Sequence, residues 1–99
     1  MNISTLMDLA RQNAQIRSDR HLAMRLDLSQ SGVSGWRRGI NVPSPDDVIF
    51  LCELAEIPPE VGLAWRNVWH SEDRGKSICT RIAEEVTKTH GIALPSEAA

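Results

Sequence analysis

Ninety-nine residues, 41% of them hydrophobic, fit one domain with a single modest core and exclude compositional disorder. The formal charge of −2 taken alone argues against a nucleic-acid partner, but the charge is unevenly distributed. Residues 11–38 carry six arginines against Asp19 and Asp27, a local +4, whereas residues 44–60 carry five acids and no Lys or Arg, a local −5. A polar molecule with a basic end can bind a polyanion whatever its net charge. Cys52 and Cys79 do not make a disulfide framework. The chain shows neither a basic-then-apolar leader nor an apolar run of spanning length, which predicts a cytoplasmic protein without membrane contact.

The first predicted helix covers residues 4–15, with Ser4 as its cap and Leu6, Leu9, Ala10 and Asn13 on one face. It is expected to back the two helices that follow. Ser18 caps a second helix over residues 19–26, in which Leu22, Ala23 and Leu26 share a face. Asp27-Leu28 makes the turn, Asp27 being able to adopt a left-handed conformation at low cost. Ser29 then caps a third helix over residues 30–38, and Gly39 ends it. Val33 and Trp36 form its buried edge. Gln30, Ser31, Ser34, Arg37 and Arg38 are left for solvent or a ligand. Gly32 and Gly35 each cost roughly 1 kcal/mol in a helix interior. Both are expected near the outward surface, where a missing side chain permits close approach.

Residues 40–43 read as a connector that Pro43 keeps extended. Ser44-Pro45-Asp46-Asp47 opens a fourth helix to about residue 56, with cap, proline and two acids in favourable order. Cys52 on its apolar stripe reads as a small buried hydrophobe. A fifth helix spans residues 59–70, and its stripe of Val61, Ala64, Trp65, Val68 and Trp69 exceeds what one small core requires. Residues 71–75 are a polar break. A sixth helix covers residues 76–89, with Ile78, Ile82 and Val86 at four-residue steps. The sixth-helix stripe suits docking onto the fifth helix or onto a second subunit, so Trp65, Val68, Trp69, Ile78, Ile82 and Val86 are the expected dimer interface, with Trp65 and Trp69 divided between this role and the core. Residues 91–99 are expected to fray.

The stretch from Ser18 to Gly39 resembles the helix-turn-helix of the Cro/CI-type (XRE) repressor family. Leu28-Ser29-Gln30-Ser31, Val33-Ser34 and Trp36-Arg37-Arg38-Gly39 carry most of the match. Leu22-Ala23 and Pro43-Ser44-Pro45 fit the same pattern, and the resemblance covers about residues 4–57. It also extends to small phage-related proteins with a short helical tail. Asp19 stands where the family usually has a phosphate-clamping glutamine. Asp27 replaces the turn glycine, and Gly35 replaces a polar residue of the reading helix. The resemblance implies an all-α, lambda-repressor-like five-helix DNA-binding domain with an additional C-terminal helix. Residues 1–57 would be the DNA-binding core, residues 58–90 would complete that core and dimerise, and residues 91–99 would form a flexible tail.

It further implies a phage-type repressor that binds double-stranded DNA as a homodimer. Gln30, Ser31 and Ser34 would read bases. Arg17, Ser18, Arg20, Arg37 and Arg38 would hold phosphates. The alternative is a protein-interaction module of the same fold, an antitoxin or antirepressor. The sequence contains no phosphate-cradling glycine loop, nucleophile elbow or paired-carboxylate site. His21, His70 and His90 lack partners at metal-ligand spacing. No catalysis, metal, cofactor or small-molecule substrate is therefore expected.

Overall fold

Serine and asparagine caps set four of the helix starts. In the computed structural model, which describes residues 1–95 and Glu97, the helices are α1 (Ile3–Ala14), α2 (Asp19–Leu26), α3 (Gln30–Arg37), α4 (Pro45–Ala55), α5 (Pro59–His70) and α6 (Asp73–Thr89). The described residues contain no strand. Ser18, Ser29 and Ser44 each accept a bond from the amide three residues on, at 3.1–3.2 Å. The cap of α1 is Asn2, not Ser4. Its Oδ1 accepts from both the amide and the hydroxyl of Thr5, so the helix begins one residue earlier than expected. The sixth helix begins at Asp73, which shortens the expected break to Ser71-Glu72.

Five helices end in one way. A left-handed residue closes the helix, and the next residue is apolar and sends its amide to the carbonyl five back. The left-handed residues are Gln15, Asp27, Gly39, Glu56 and Gly91. The amides are those of Ile16, Leu28, Ile40, Ile57 and Ile92, with bonds of 2.9–3.1 Å. Only two of the five positions are glycine, and a non-glycine residue bears a conformational cost there.

One apolar cluster runs through all six helices. It includes Leu6 and Met7 of α1, Leu22 of α2, Val33 and Trp36 of α3, Leu51 and Cys52 of α4, Val61, Trp65 and Val68 of α5, and Ala83 of α6. α1 packs on α4, α3 and α5; α2 packs on α3; α5 packs between α4 and α6. The core that residues 1–57 begin is thus closed by α5. No helix among the described residues is long and apolar enough to cross a membrane.

Two parts of the expected dimer interface are taken inward. Trp65 is 8% and Val68 6% exposed. The Trp65 indole N–H donates to Thr87 Oγ1 at 2.9 Å, and that hydroxyl donates to the Ala83 carbonyl at 2.7 Å. Here α6 lies over α5 and satisfies the buried indole. Trp69 is half-buried, and its indole N–H donates to the Met1 carbonyl at 2.8 Å. The richness of the α5 stripe therefore serves contacts within the chain, and these three residues leave the candidate interface. The described part of the tail also turns back rather than fraying. Ile92 and Leu94 pack against the core, and Glu97 accepts from the Asn2 amide at 2.6 Å and pairs with the Met1 amino group at 3.2 Å. Residues 96, 98 and 99 of the expected flexible tail lie outside the described residues.

The α4–α5 crossing depends on Gly62. A Cβ at that position would stand 2.1 Å from Cys52 Sγ and 3.1 Å from Val48 Cγ1. Cys52 is fully buried, and desolvation pushes its thiol up to about 11, so it acts as packing volume rather than as a nucleophile. Gly62→Ala is expected to lower stability by about 1–3 kcal/mol through overpacking. Cys52→Ala in the same chain is expected to return part of that loss, and thermal melts of the single and double variants measure both effects.

Candidate nucleic-acid interface

Three residues, from Asp27 to Ser29, join α2 to α3. Such a short connection forces a steep crossing, and Ala23, buried on α2, leaves room for it. Val33 is fully buried and Trp36 nearly so. These two side chains fix the rotation of α3 about its own axis. With that edge turned inward, Gln30 and Ser31 are exposed and Ser34 is half-buried. The Ser29 hydroxyl caps the helix and lies 3.3 Å from the Ser31 hydroxyl. Arg38, just past the last helical residue, is exposed.

Gly35 does not face outward as expected. It is buried, and a Cβ there would stand 2.6 Å from Asn41 Nδ2. Its carbonyl accepts from the amides of Ile40 at 2.9 Å and Asn41 at 3.3 Å. The missing side chain lets the loop after α3 fold back against the helix. Asn41 is held against α3 at this point and is itself exposed. The sequence marks residues 40–43 only as a connector, and Gly35 does not name Asn41 as its neighbour.

Arg37 is a larger departure. It was expected on a phosphate, yet its guanidinium faces the protein. Nε and Nη2 donate to the two carboxylate oxygens of Asp19 at 3.0 and 2.9 Å. Nη1 donates to Asp8 at 2.8 Å and to the Ser4 hydroxyl and carbonyl at 3.1 and 3.2 Å. Arg11 adds a contact to Asp19 at 3.3 Å. One residue of α3 thus ties that helix to α1 and to the first turn of α2. The Arg37 hydrogen bond holds the Asp19 carboxyl below the ordinary carboxylate value, and Asp19 in turn raises Arg37. Asp19 is consequently an internal partner in place of a phosphate clamp.

Ser18 is corrected in part. Its hydroxyl accepts from the His21 amide and lies 2.6 Å from His21 Nδ1, so the side chain is committed to the cap. The first-turn amides of α2 remain at that end of the helix. Arg17 and Arg20 are exposed, as are Arg25 and Arg38, and none of the four has an ion-pair partner among the described residues. Arg17, His21 and Arg25 also line an open concavity of about 460 Å³, together with Ile16 and Met24. The basic character of residues 11–38 therefore resides in these arginines rather than in Arg11 and Arg37. Amides and hydroxyls on one helical edge can hydrogen-bond a polar ligand, and guanidinium groups without an internal partner can neutralise a polyanion. Among the described residues no three His, Cys, Asp or Glu side chains converge in a way that would hold a metal ion. Comparison with protein-family models, curated proteins and solved structures gives no match to this chain.

The Asp19–Arg37 pair makes stability depend on pH in a defined direction. Because the folded carboxyl lies below its ordinary value of 3.8, its contribution is full above that pH and is lost as pH falls through the folded value. Asp19→Asn is expected to cost about 1–2 kcal/mol at neutral pH, in the range of charge-assisted hydrogen bonds that are partly exposed. The gap from the parent should close as the pH falls below about 4. Denaturant unfolding of both chains across that range measures it.

Proposed function

We propose that this chain is a sequence-specific DNA-binding regulator of the Cro/CI type. In this reading it is a lambda-repressor-like domain with an added C-terminal helix, and it acts as a homodimer on a palindromic operator. The observation that carries the reading is the split of α3. Val33 and Trp36 are turned inward, while Gln30, Ser31 and the half-buried Ser34 are left on the other edge. Arg17, Arg20 and Arg38 have no ion-pair partner among the described residues and can hold the flanking backbone.

In this mechanism α3 enters the major groove. Gln30, in the first turn, pairs through its amide with adenine N6 and N7. Ser31 and Ser34 contact base edges. Arg38 at the far end of α3 meets one phosphate strand. Arg17, Arg20 and the first amides of α2 meet the other. Arg37 has no part in these contacts and keeps α3 at a fixed angle. One domain reads few bases, so selectivity requires two copies with half-sites about 34 Å apart. Repression follows where such an operator overlaps a promoter.

A second reading, a protein-interaction module such as an antitoxin or antirepressor, is favoured by one feature. The outer side of α4 exposes Asp46, Phe50, Glu53 and Glu56, an acidic strip around an aromatic ring. Heparin retention that falls with salt supports the first reading, and absence of retention supports the second.

Selection of bound sequences from random duplexes is the direct test, and an enriched palindrome is the expected result. On that site Gln30→Ala is expected to cost about 1–3 kcal/mol and to relax preference at one position per half-site. Equal weakening on all DNA would remove Gln30 from base reading. Arg38→Ala is expected to weaken cognate and random DNA alike and to flatten the salt dependence by about one unit of slope. Titrations at several salt concentrations decide that point.

A further inference from the structure

We infer that the concavity between the end of α1 and the outer edge of α2 receives the acidic, Phe50-bearing edge of α4 from a second copy of this chain. The concavity of about 460 Å³ is lined by Arg17, His21 and Arg25 together with Ile16 and Met24, and no carboxylate lines it. The first-turn acid of α2, Asp19, is turned away to Arg37 and Arg11. Arg17, His21 and Arg25 are exposed, and none has an ion-pair partner among the described residues. Met24 is 67% exposed, the barest large apolar side chain among the described residues. A phosphate backbone would use the cations of this surface and leave Met24 and Ile16 in water. An occupant that uses all of it carries acids on both sides of an apolar group.

The chain bears such a group on α4. Asp46, Phe50 and Glu53 fall within about 60° around that helix and along about 10 Å of it, so the ring has an acid on each side. Asp46, Glu53 and Glu56 are exposed, and Phe50 is 38% exposed. Residues 44–60 contain no Lys or Arg, and none of these three acids has an ion-pair partner among the described residues. Opposite charges thus stand unpaired on two surfaces of one chain, each beside an apolar side chain left in water. Laid on α2, the Phe50 ring covers Met24 in a thioether–aromatic contact. The acids on either side of it then meet the guanidinium groups of Arg17 and Arg25. An unrelated acidic peptide would need the same pattern, whereas a second copy supplies it at the chain's own concentration.

The two surfaces differ, so the contact is heterologous and every copy carries one of each. It is small and largely electrostatic, hence weak and weakened further by salt. The inference does not rest on the operator reading. Arg17 belongs to both, so a copy with its concavity filled cannot place Arg17 on a phosphate.

Sedimentation equilibrium of the full chain without DNA, from micromolar to millimolar concentration and at low and high salt, tests the contact. One variant carries Arg17→Glu with Arg25→Glu, and another carries Asp46→Lys with Glu53→Lys. Each sets like charges against like and is expected to lower the association constant at least tenfold. An equimolar mixture of the two is expected to recover most of the parent's association, because each altered surface then meets a complementary one on the other chain. Circular dichroism melts check that both variants fold. Glu53→Lys alone disturbs α4 least, since a cation is favoured in the last turn of a helix, and it is expected to weaken association severalfold. Equal masses in the parent, both variants and the mixture, or a mixture no heavier than its components, overturn the proposal. A parent that does not self-associate but binds polyglutamate gives the concavity to a foreign acidic chain and overturns it as well.

Discussion

Arg37 is the point at which three helices meet, and the orientation of α3 depends on it. α3 has eight residues and two of them are glycine. A helix so short and so poor in intrinsic propensity does not hold itself in water. Val33 and Trp36 supply the burial that holds it down. Burial alone would still permit some rocking about the apolar edge. The guanidinium removes that freedom, because two parallel bonds to Asp19 define a plane and the bonds to Asp8 and Ser4 fix a second direction. Its side chain is 26% exposed, so the pair adds modest free energy. Its larger effect is geometric.

Two close approaches complete the arrangement, and both are made by glycines inside helices. Gly62 lets α5 reach α4 across the Cys52 sulfur. Gly35 lets the loop after α3 return onto the helix, with its carbonyl serving two loop amides. Each glycine costs local helical stability and in exchange allows a contact that a methyl group would block. The result at Gly35 is that Asn41 is held against α3, although it lies beyond the helix.

Much of this was legible in the chain because the signals are local. Ser18, Ser29 and Ser44 announce helices in their own neighbourhood, and the α2 and α5 spans follow from caps, prolines and apolar spacing. The inward position of Val33 and Trp36 is likewise a matter of one turn of helix. What could not be read depends on distant partners. Arg37 meets Asp19 and Asp8, which lie 18 and 29 residues away, and an arginine next to another arginine looks like a phosphate contact. Trp65 and Val68 belong to a stripe richer than one small core requires, and only the fold shows α6 lying over α5, with Thr87 accepting the indole hydrogen bond. α6 starts three residues before the expected position because Gly75 in a polar stretch resembles a break, and no side-chain cap marks Glu72. Glutamine, aspartate and glutamate in left-handed positions gave no warning of the shared helix ending beyond Asp27.

The corrections sharpen the proposed mechanism more than they weaken it. Moving Arg37 inward removes one cation from the outer surface, yet it makes the angle of the reading edge a property of the fold rather than of the bound duplex. A base-reading amide gains specificity only if its position is set before contact, since ordering it on binding subtracts from affinity. In the proposed mechanism, a short and rigidly held α3 is what would make the correct sequence distinguishable at each half-site.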